Sequence, residues 1–85
     1  MIDYKDANDL EKIKIKRACK NVLAVRGLSW EAFVSEPIMN WWEITFLDES
    51  GKGCCRFRFF RPPSADQNWY EQEIDRQIEL QLTTV

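Results

Sequence analysis

The sequence predicts an α+β domain in which two long helices pack on one side of an antiparallel hairpin, in the order α-β-β-α. Apolar residues recur at helical spacing near both ends of the chain. In the middle they alternate with polar residues in two runs, which a cluster of turn residues separates. The predicted helices span about residues 9–26 and 65–81, and the predicted strands about 40–48 and 53–61.

The first helix is predicted from its end signals and from one apolar face. Asn8 and Glu11 have the spacing of a capping box, and Gly27 is placed to end the helix. On a helical wheel the apolar face contains Ile15, Ala18, Cys19, Val22 and Val25. The opposite face is a basic surface formed by Lys12, Lys16, Arg17 and Lys20.

A short helix over residues 30–35 is expected between the first helix and the hairpin. Ser29 can cap its first turn, and Leu28 with Phe33 has the spacing of a hydrophobic staple. Pro37 then stops the helix, because the residue before a proline resists helical geometry.

The register of the hairpin follows from placing the apolar residues of both strands on one face. This requirement gives three apolar pairs, Phe46 with Cys55, Ile44 with Phe57, and Trp42 with Phe59. The opposite face is then fixed as well, and its pairs are Glu43 with Arg58, Thr45 with Arg56, and Trp41 with Phe60.

The second long helix follows a proline pair, with Ser64 and Gln67 at capping-box spacing. Its apolar stripe is Tyr70, Ile74, Ile78 and Leu82, and its solvent side is acidic. Residues 78–82 also alternate with period two and residues 83–85 prefer strand geometry, so a final edge strand over residues 78–85 is an alternative. Combined with a strand over residues 12–16, it would give a ferredoxin-like βαββαβ order. We favour α-β-β-α, since the alternative divides the continuous apolar face of the first helix.

Composition excludes several classes of protein. The 85 residues predict a single small domain spanning 1–85, and the net charge is −2. There is no histidine, the three cysteines form no zinc pattern, and the glycines form no phosphate-binding loop. We therefore expect no catalytic site, metal or cofactor, and predict that the protein is not an enzyme. Neither a membrane-spanning run nor a secretory signal is visible, which favours a cytoplasmic protein without a membrane partner.

One face of a two-stranded sheet stays uncovered when both helices pack on the other. Trp41 and Phe60 fall on that face, and Trp69 with Leu80 forms a second small apolar patch on the last helix. Aromatic residues and arginine are enriched where proteins bind one another. A homodimer that pairs these faces or joins strand edges would cover them, and so would the short helix or the N-terminal segment.

Arg56 and Arg58 alternate with phenylalanines, an arrangement that can also grip phosphates and stack bases. Glu43 on the same face and the acidic last helix count against that use. The leading hypothesis is therefore a non-enzymatic protein-protein interaction module of the adaptor or inhibitor type, acting as a homodimer. The alternative is a nucleic-acid-binding protein that uses the basic first helix or the Arg/Phe strand. Cys54 is expected to be an exposed, incidental thiol whose pKa Arg56 lowers.

Overall fold

The computed structural model describes residues 4–83, which form two helices and a three-stranded antiparallel sheet. The elements in chain order are α1 (Tyr4–Arg26), β1 (Glu31–Ile38), β2 (Trp41–Leu47), β3 (Gly53–Phe60) and α2 (Gln67–Thr83). The strands lie in the order β1-β2-β3. Both helices pack together and against the same face of the sheet, so the predicted α+β class and the two-helix layer are confirmed.

Helix α1 ends as the sequence predicts but begins earlier. Gly27 adopts a positive φ of 68°, and the amides of Gly27 and Leu28 bond to the carbonyls of Ala24 and Leu23. These two bonds form a Schellman motif, which needs a residue tolerant of left-handed backbone at Gly27. The predicted start at Asn8 is wrong, because the helix already begins at Tyr4. Glu11 lies well inside the helix and binds another element instead of capping the first turn.

The predicted short helix over residues 30–35 is wrong, because this segment forms strand β1. A helix of five or six residues would gain few internal hydrogen bonds. As a strand, the segment pairs its backbone with the open edge of β2, with Phe33 opposite Thr45. It also buries Val34 against the helices. Tertiary pairing thus overrides the local capping signal at Ser29.

The hairpin of β2 and β3 has the predicted register at every predicted pair, from Trp41 with Phe60 to Phe46 with Cys55. The inward side chains of Trp42, Ile44 and Phe46 are buried beneath the helices. The turn after β2 is held by Asp48, whose carboxylate accepts hydrogen bonds from the Ser50 amide and hydroxyl and the Lys52 amide. These hydrogen bonds, the Ser50 hydroxyl's first, lower the pKa of Asp48.

Helix α2 begins at Gln67, two residues after the predicted start. Asp66, not Ser64, is the N-cap, and its carboxylate accepts a hydrogen bond from the Trp69 amide at 2.8 Å. Gln67 reaches across to the carbonyl of Lys14 in α1 rather than back to a cap. Residues 78–83 continue the helix, so they do not form the alternative edge strand; residues 84 and 85 lie outside the described part of the chain.

The ferredoxin-like alternative is wrong, since residues 12–16 also lie within a helix. The two helices contact each other through ion pairs as well as through apolar side chains. Arg26 near the end of α1 pairs with Asp75 at 2.7 Å and with Glu79 at 2.9 Å. These two ion pairs join the acidic side of α2 to the last residue of α1. Among residues 4–83, neither helix has the length and hydropathy to cross a membrane.

Candidate functional site: the outer face of the sheet

The outer face is the side of the sheet that turns away from both helices. The strand register arranges its side chains in four rows across β1, β2 and β3. In order along β2, these rows are Ile38–Trp41–Phe60, Ser35–Glu43–Arg58, Phe33–Thr45–Arg56 and Glu31–Leu47–Gly53. No helix in the described part of the chain covers this face, so the expected short helix does not do so, and residues 1–3 of the N-terminal segment lie outside the described residues.

The first row is apolar and exposed. Ile38, Trp41 and Phe60 retain 64%, 44% and 51% of their surface. The rings of Trp41 and Phe60 meet edge to face, with centroids 5.4 Å apart and planes at 65°. Met39 follows Ile38 in the connection to β2 and is also exposed. Contiguous exposed apolar side chains of this kind mark interaction surfaces on small proteins.

The connection between β1 and β2 is held by hydrogen bonds to the backbone of Asn40. Its backbone has a positive φ of 66°, which asparagine tolerates better than most residues. Its amide donates to the Glu36 carboxylate at 2.7 Å, and its carbonyl accepts from the Arg61 amide at 2.8 Å. The apolar row therefore lies beside a turn that hydrogen bonds hold in place.

Beside the apolar row, Glu43 is held between two arginines. Its carboxylate accepts a hydrogen bond from Arg56 and another from Arg58, the latter at 3.2 Å. Glu43 is buried, whereas the Arg56 and Arg58 side chains stay 67% and 56% exposed. Desolvation acts to raise the pKa of Glu43, but the hydrogen bonds and positive charges of both arginines outweigh it and lower the pKa.

The predicted site residues on the hairpin are thus brought together, whereas those on α2 are not. Trp69 packs against the core, with its ring 5.8 Å from Phe59 and 5.7 Å from Tyr70. Leu80 is about half exposed but lies eleven positions further along α2, about 16 Å away along the axis. Both residues lie in the helical layer, not on the outer face.

Sequence reasoning missed two residues of the outer face, Phe33 and Ile38. Both are exposed apolar side chains on β1, a segment that the sequence predicts to be helix or loop. The signal that could have found Phe33 is the alternation of Glu31, Phe33 and Ser35 with Ala32 and Val34. This alternation does not extend to Ile38, which lies beyond the register shift that follows Ser35.

The basic surface of α1 is exposed at Lys16, Arg17 and Lys20, and half-buried at Lys12. Lys12, Lys16 and Lys20 recur every four residues, which places them on one side of the helix. Lys16 and Lys20 lie beside the start of β1, where they border a groove. The nucleic-acid hypothesis stays a prediction, although both arginines of β3 are already engaged by Glu43.

The cysteines carry no activated thiol. Cys19 and Cys55 are buried, and desolvation raises their pKa values to about 12 and about 11. Cys54 is exposed as predicted, but the expected lowering of its pKa by Arg56 is wrong. Desolvation and the nearby Asp48 carboxylate raise the pKa of Cys54, while the Arg56 guanidinium is turned to Glu43.

The two edges of the sheet differ. On β3, the side-chain amide of Gln81 donates to the Arg56 carbonyl at 2.8 Å and accepts from the Arg56 amide at 3.4 Å. The backbone amide and carbonyl of Arg56 therefore point away from β2. Hydrogen bonds alternate between the two sides of a strand in an antiparallel sheet, so the backbone of Thr45, which lies opposite Arg56, bonds to Phe33 on β1. The backbone groups of Ala32 and Val34 must then point outward at the edge of β1.

Among residues 9–83, whose side chains the structure describes, no group of three cysteine, aspartate or glutamate side chains is placed to hold a metal ion. Comparisons of the chain with protein-family models, with curated proteins and with solved structures find no match.

Proposed function

We propose that the protein is a non-enzymatic interaction module that forms a homodimer through the outer face of its sheet. The observation that carries this proposal is the exposed apolar row Ile38–Trp41–Phe60, which lies beside a charge network already satisfied within the chain. Because Arg56 and Arg58 both pair with Glu43, covering the face does not leave the Glu43 carboxylate unpaired.

When the two-fold axis runs parallel to the strands, the apolar rows of the two copies meet and the β3 arginines avoid one another, while Glu43, paired with its two arginines, faces Glu43 of the second copy. That axis sets β2 over β2 of the second copy and β1 over β3, so each row meets the same row in reverse order. Arg58 then faces Ser35 of the second copy rather than another Arg58. Arg56 faces the ring of Phe33, an arrangement that permits a cation–π contact. The apolar rows meet each other.

Pairing through the edges of the sheet is disfavoured. The β3 edge is capped by Gln81 at Arg56. At the β1 edge, paired strands would lie about 5 Å apart, whereas a helix with its side chains is about 10 Å wide. Since α1 packs against β1, the α1 helices of two copies would collide and bring their lysines together.

The size of the face predicts a dimer of limited affinity. Three strands about 5 Å apart and seven residues long give a face of about 14 by 23 Å. This is smaller than the roughly 800 Å² per partner that stable complexes bury. Dimerisation should therefore depend on concentration in the micromolar range.

Light scattering across a concentration series tests the proposal. The wild-type mass should rise from 10.1 kDa toward twice that value as concentration increases. Trp41→Ser should shift the transition to at least about tenfold higher concentration, the cost of losing an aromatic anchor. Val25→Ser removes an apolar side chain that is 88% exposed on α1, outside the face, and should leave the transition unchanged. A wild-type mass that stays at 10.1 kDa throughout would overturn the proposal.

A further inference from the structure

We propose that the edge of β1 binds an extended acidic peptide segment of a partner protein, which adds to the sheet as a fourth strand. This site is separate from the outer face, and its occupant differs from the second copy invoked above. Three features of the edge carry the inference: open backbone groups, an apolar groove beneath α1, and two lysines at the rim of that groove.

The backbone of β1 supplies the main-chain contacts. Ala32 and Val34 direct their amides and carbonyls away from β2, as the bonding of Arg56 to Gln81 and of Arg61 to Asn40 requires by alternation. These four groups can bond an added strand. Pro37 limits the usable edge at its far end, since it lacks an amide hydrogen.

The groove beside this edge supplies the apolar contacts. It has a volume of about 370 Å³ and lies between α1 and the start of β1. Leu23 and Ala24 line it from the helix, and Leu28, Trp30 and Ala32 line it from the connection and the strand. Every second side chain of an added strand points to the helical side of the sheet, where this groove can receive it.

The charge at the rim selects the partner. Lys16 and Lys20 line the groove from α1, against one acidic residue, Glu31. An added strand with carboxylates on the helical side would meet these lysines, whereas a basic strand would be repelled. The preferred segment therefore has an apolar residue flanked, two positions away on each side, by acidic residues. The bound segment cannot carry a helix of its own on the helical side of the sheet, because α1 already occupies that space.

The test uses a fluorescent peptide, Ser-Glu-Thr-Val-Thr-Glu-Ser, in anisotropy titrations with the wild-type protein. The matched control, Ser-Thr-Glu-Val-Glu-Thr-Ser, has the same composition but carries its acidic residues on the face opposite the valine. We expect saturable binding of the first peptide and at least about fivefold weaker binding of the second. A third peptide, N-methylated at its central residues, should lose binding because the ladder bonds cannot form.

Variants of the protein locate the site. Lys16→Glu should weaken binding at least about threefold, and the double variant Lys16→Glu/Lys20→Glu at least about tenfold. Arg17→Glu is the matched control, with the same change of charge about 100° around α1, and should leave affinity within about twofold. In amide exchange, the Ala32 and Val34 amides should gain protection when the peptide is bound.

Four outcomes would overturn the inference. They are no binding of the first peptide, equal binding of the charge-shifted or N-methylated peptide, an equal effect of Arg17→Glu and Lys16→Glu, and tighter binding of a single-stranded oligonucleotide of similar length that displaces the peptide. The last outcome would assign the lysines to nucleic acid instead. None of these results bears on the mass of the protein in light scattering, so this inference and the proposed homodimer can fail separately.

Discussion

Gln81 replaces a neighbouring strand for Arg56, because its side-chain amide bonds both the carbonyl and the amide of that residue on the open edge of β3. An unprotected edge is a template for pairing with other chains. Gln81→Leu should therefore lower the free energy of unfolding by about 1 kcal/mol and increase light scattering on storage. Gln72→Leu changes an exposed residue of the same helix and is the control. Equal behaviour of the two variants would contradict this role of Gln81.

Tyr70 is the buried link between the helices and the end of the sheet. Its hydroxyl donates to the Glu11 carboxylate at 2.7 Å, and Arg61 lies 3.6 Å from the same carboxylate group. Burial, followed by this hydrogen bond, raises the pKa of Tyr70. Tyr70→Phe should cost about 1.5–3 kcal/mol in urea unfolding, the usual range for a hydrogen bond to a charged group. A cost below about 0.5 kcal/mol would show that the bond contributes little.

Trp42 differs from Tyr70 in that its buried polar atom makes no hydrogen bond, so removing that atom should cost little stability. Its indole nitrogen is the one buried side-chain polar atom, among the residues that the structure describes, without a hydrogen-bond partner. Trp42→Phe removes that unsatisfied donor, which offsets part of the cost of the smaller ring. We expect it to destabilise the protein less than Tyr70→Phe does, although it deletes more atoms. Urea unfolding of both variants decides the order, and the reverse order would contradict the assignment.

The Glu43 network predicts how stability depends on pH. The pKa of Glu43 is lower in the folded protein than its ordinary value of 4.5, so the folded state favours the ionised form. The resulting stabilisation is present above pH 4.5 and is lost as pH falls through the folded pKa. Glu43→Gln should therefore reduce stability at pH 7 and flatten its decrease below pH 4.5. Glu49→Gln, in the exposed turn, is the control, and an unchanged acid dependence in Glu43→Gln would contradict the prediction.

Thiol chemistry should report the three cysteines separately. Only Cys54 is exposed, and its pKa is raised rather than lowered. Native protein should therefore react with one equivalent of a thiol reagent, slowly at pH 7, and with three after unfolding in urea. Rapid reaction at pH 7 would reveal an activated thiolate, and loss of the slow single equivalent in Cys54→Ser identifies the residue.

The sequence predicts the hairpin register from Trp41 to Phe46 because placing the apolar residues on one face also sets Glu43 opposite Arg58; it does not predict the shift that pairs Leu47 with Gly53. It predicts the two helices from the stripes that include Ile15 and Ile74. The prediction fails at residues 30–35. A capping signal there indicates a helix, and the strand is favoured only because the segment can pair with the open edge of β2. For the same reason the prediction finds Trp41 and Phe60 on the open face but misses Phe33.

Edge-capping by Gln81 could not be predicted from the sequence. The residue falls on the polar side of α2, where most glutamines face solvent. Its role depends on how far the helix extends over β3, and the spacing of residue types along the sequence does not give this distance. The same holds for the groove beside β1, which exists only once the connection through Trp30 lies beneath α1.

Chemical crosslinking at Thr45 tests the central claim, a homodimer through the outer face, most directly. In a Cys54→Ser background, Thr45→Cys places a thiol on β2, close to the proposed two-fold axis. A bismaleimide that bridges sheets about 10 Å apart should then yield a covalent dimer at dimer-forming concentrations. Gln72→Cys, on the helical side and about 30 Å from its copy by layer spacing, should not. A dimer in light scattering that crosslinks through Gln72→Cys but not through Thr45→Cys would contradict the account.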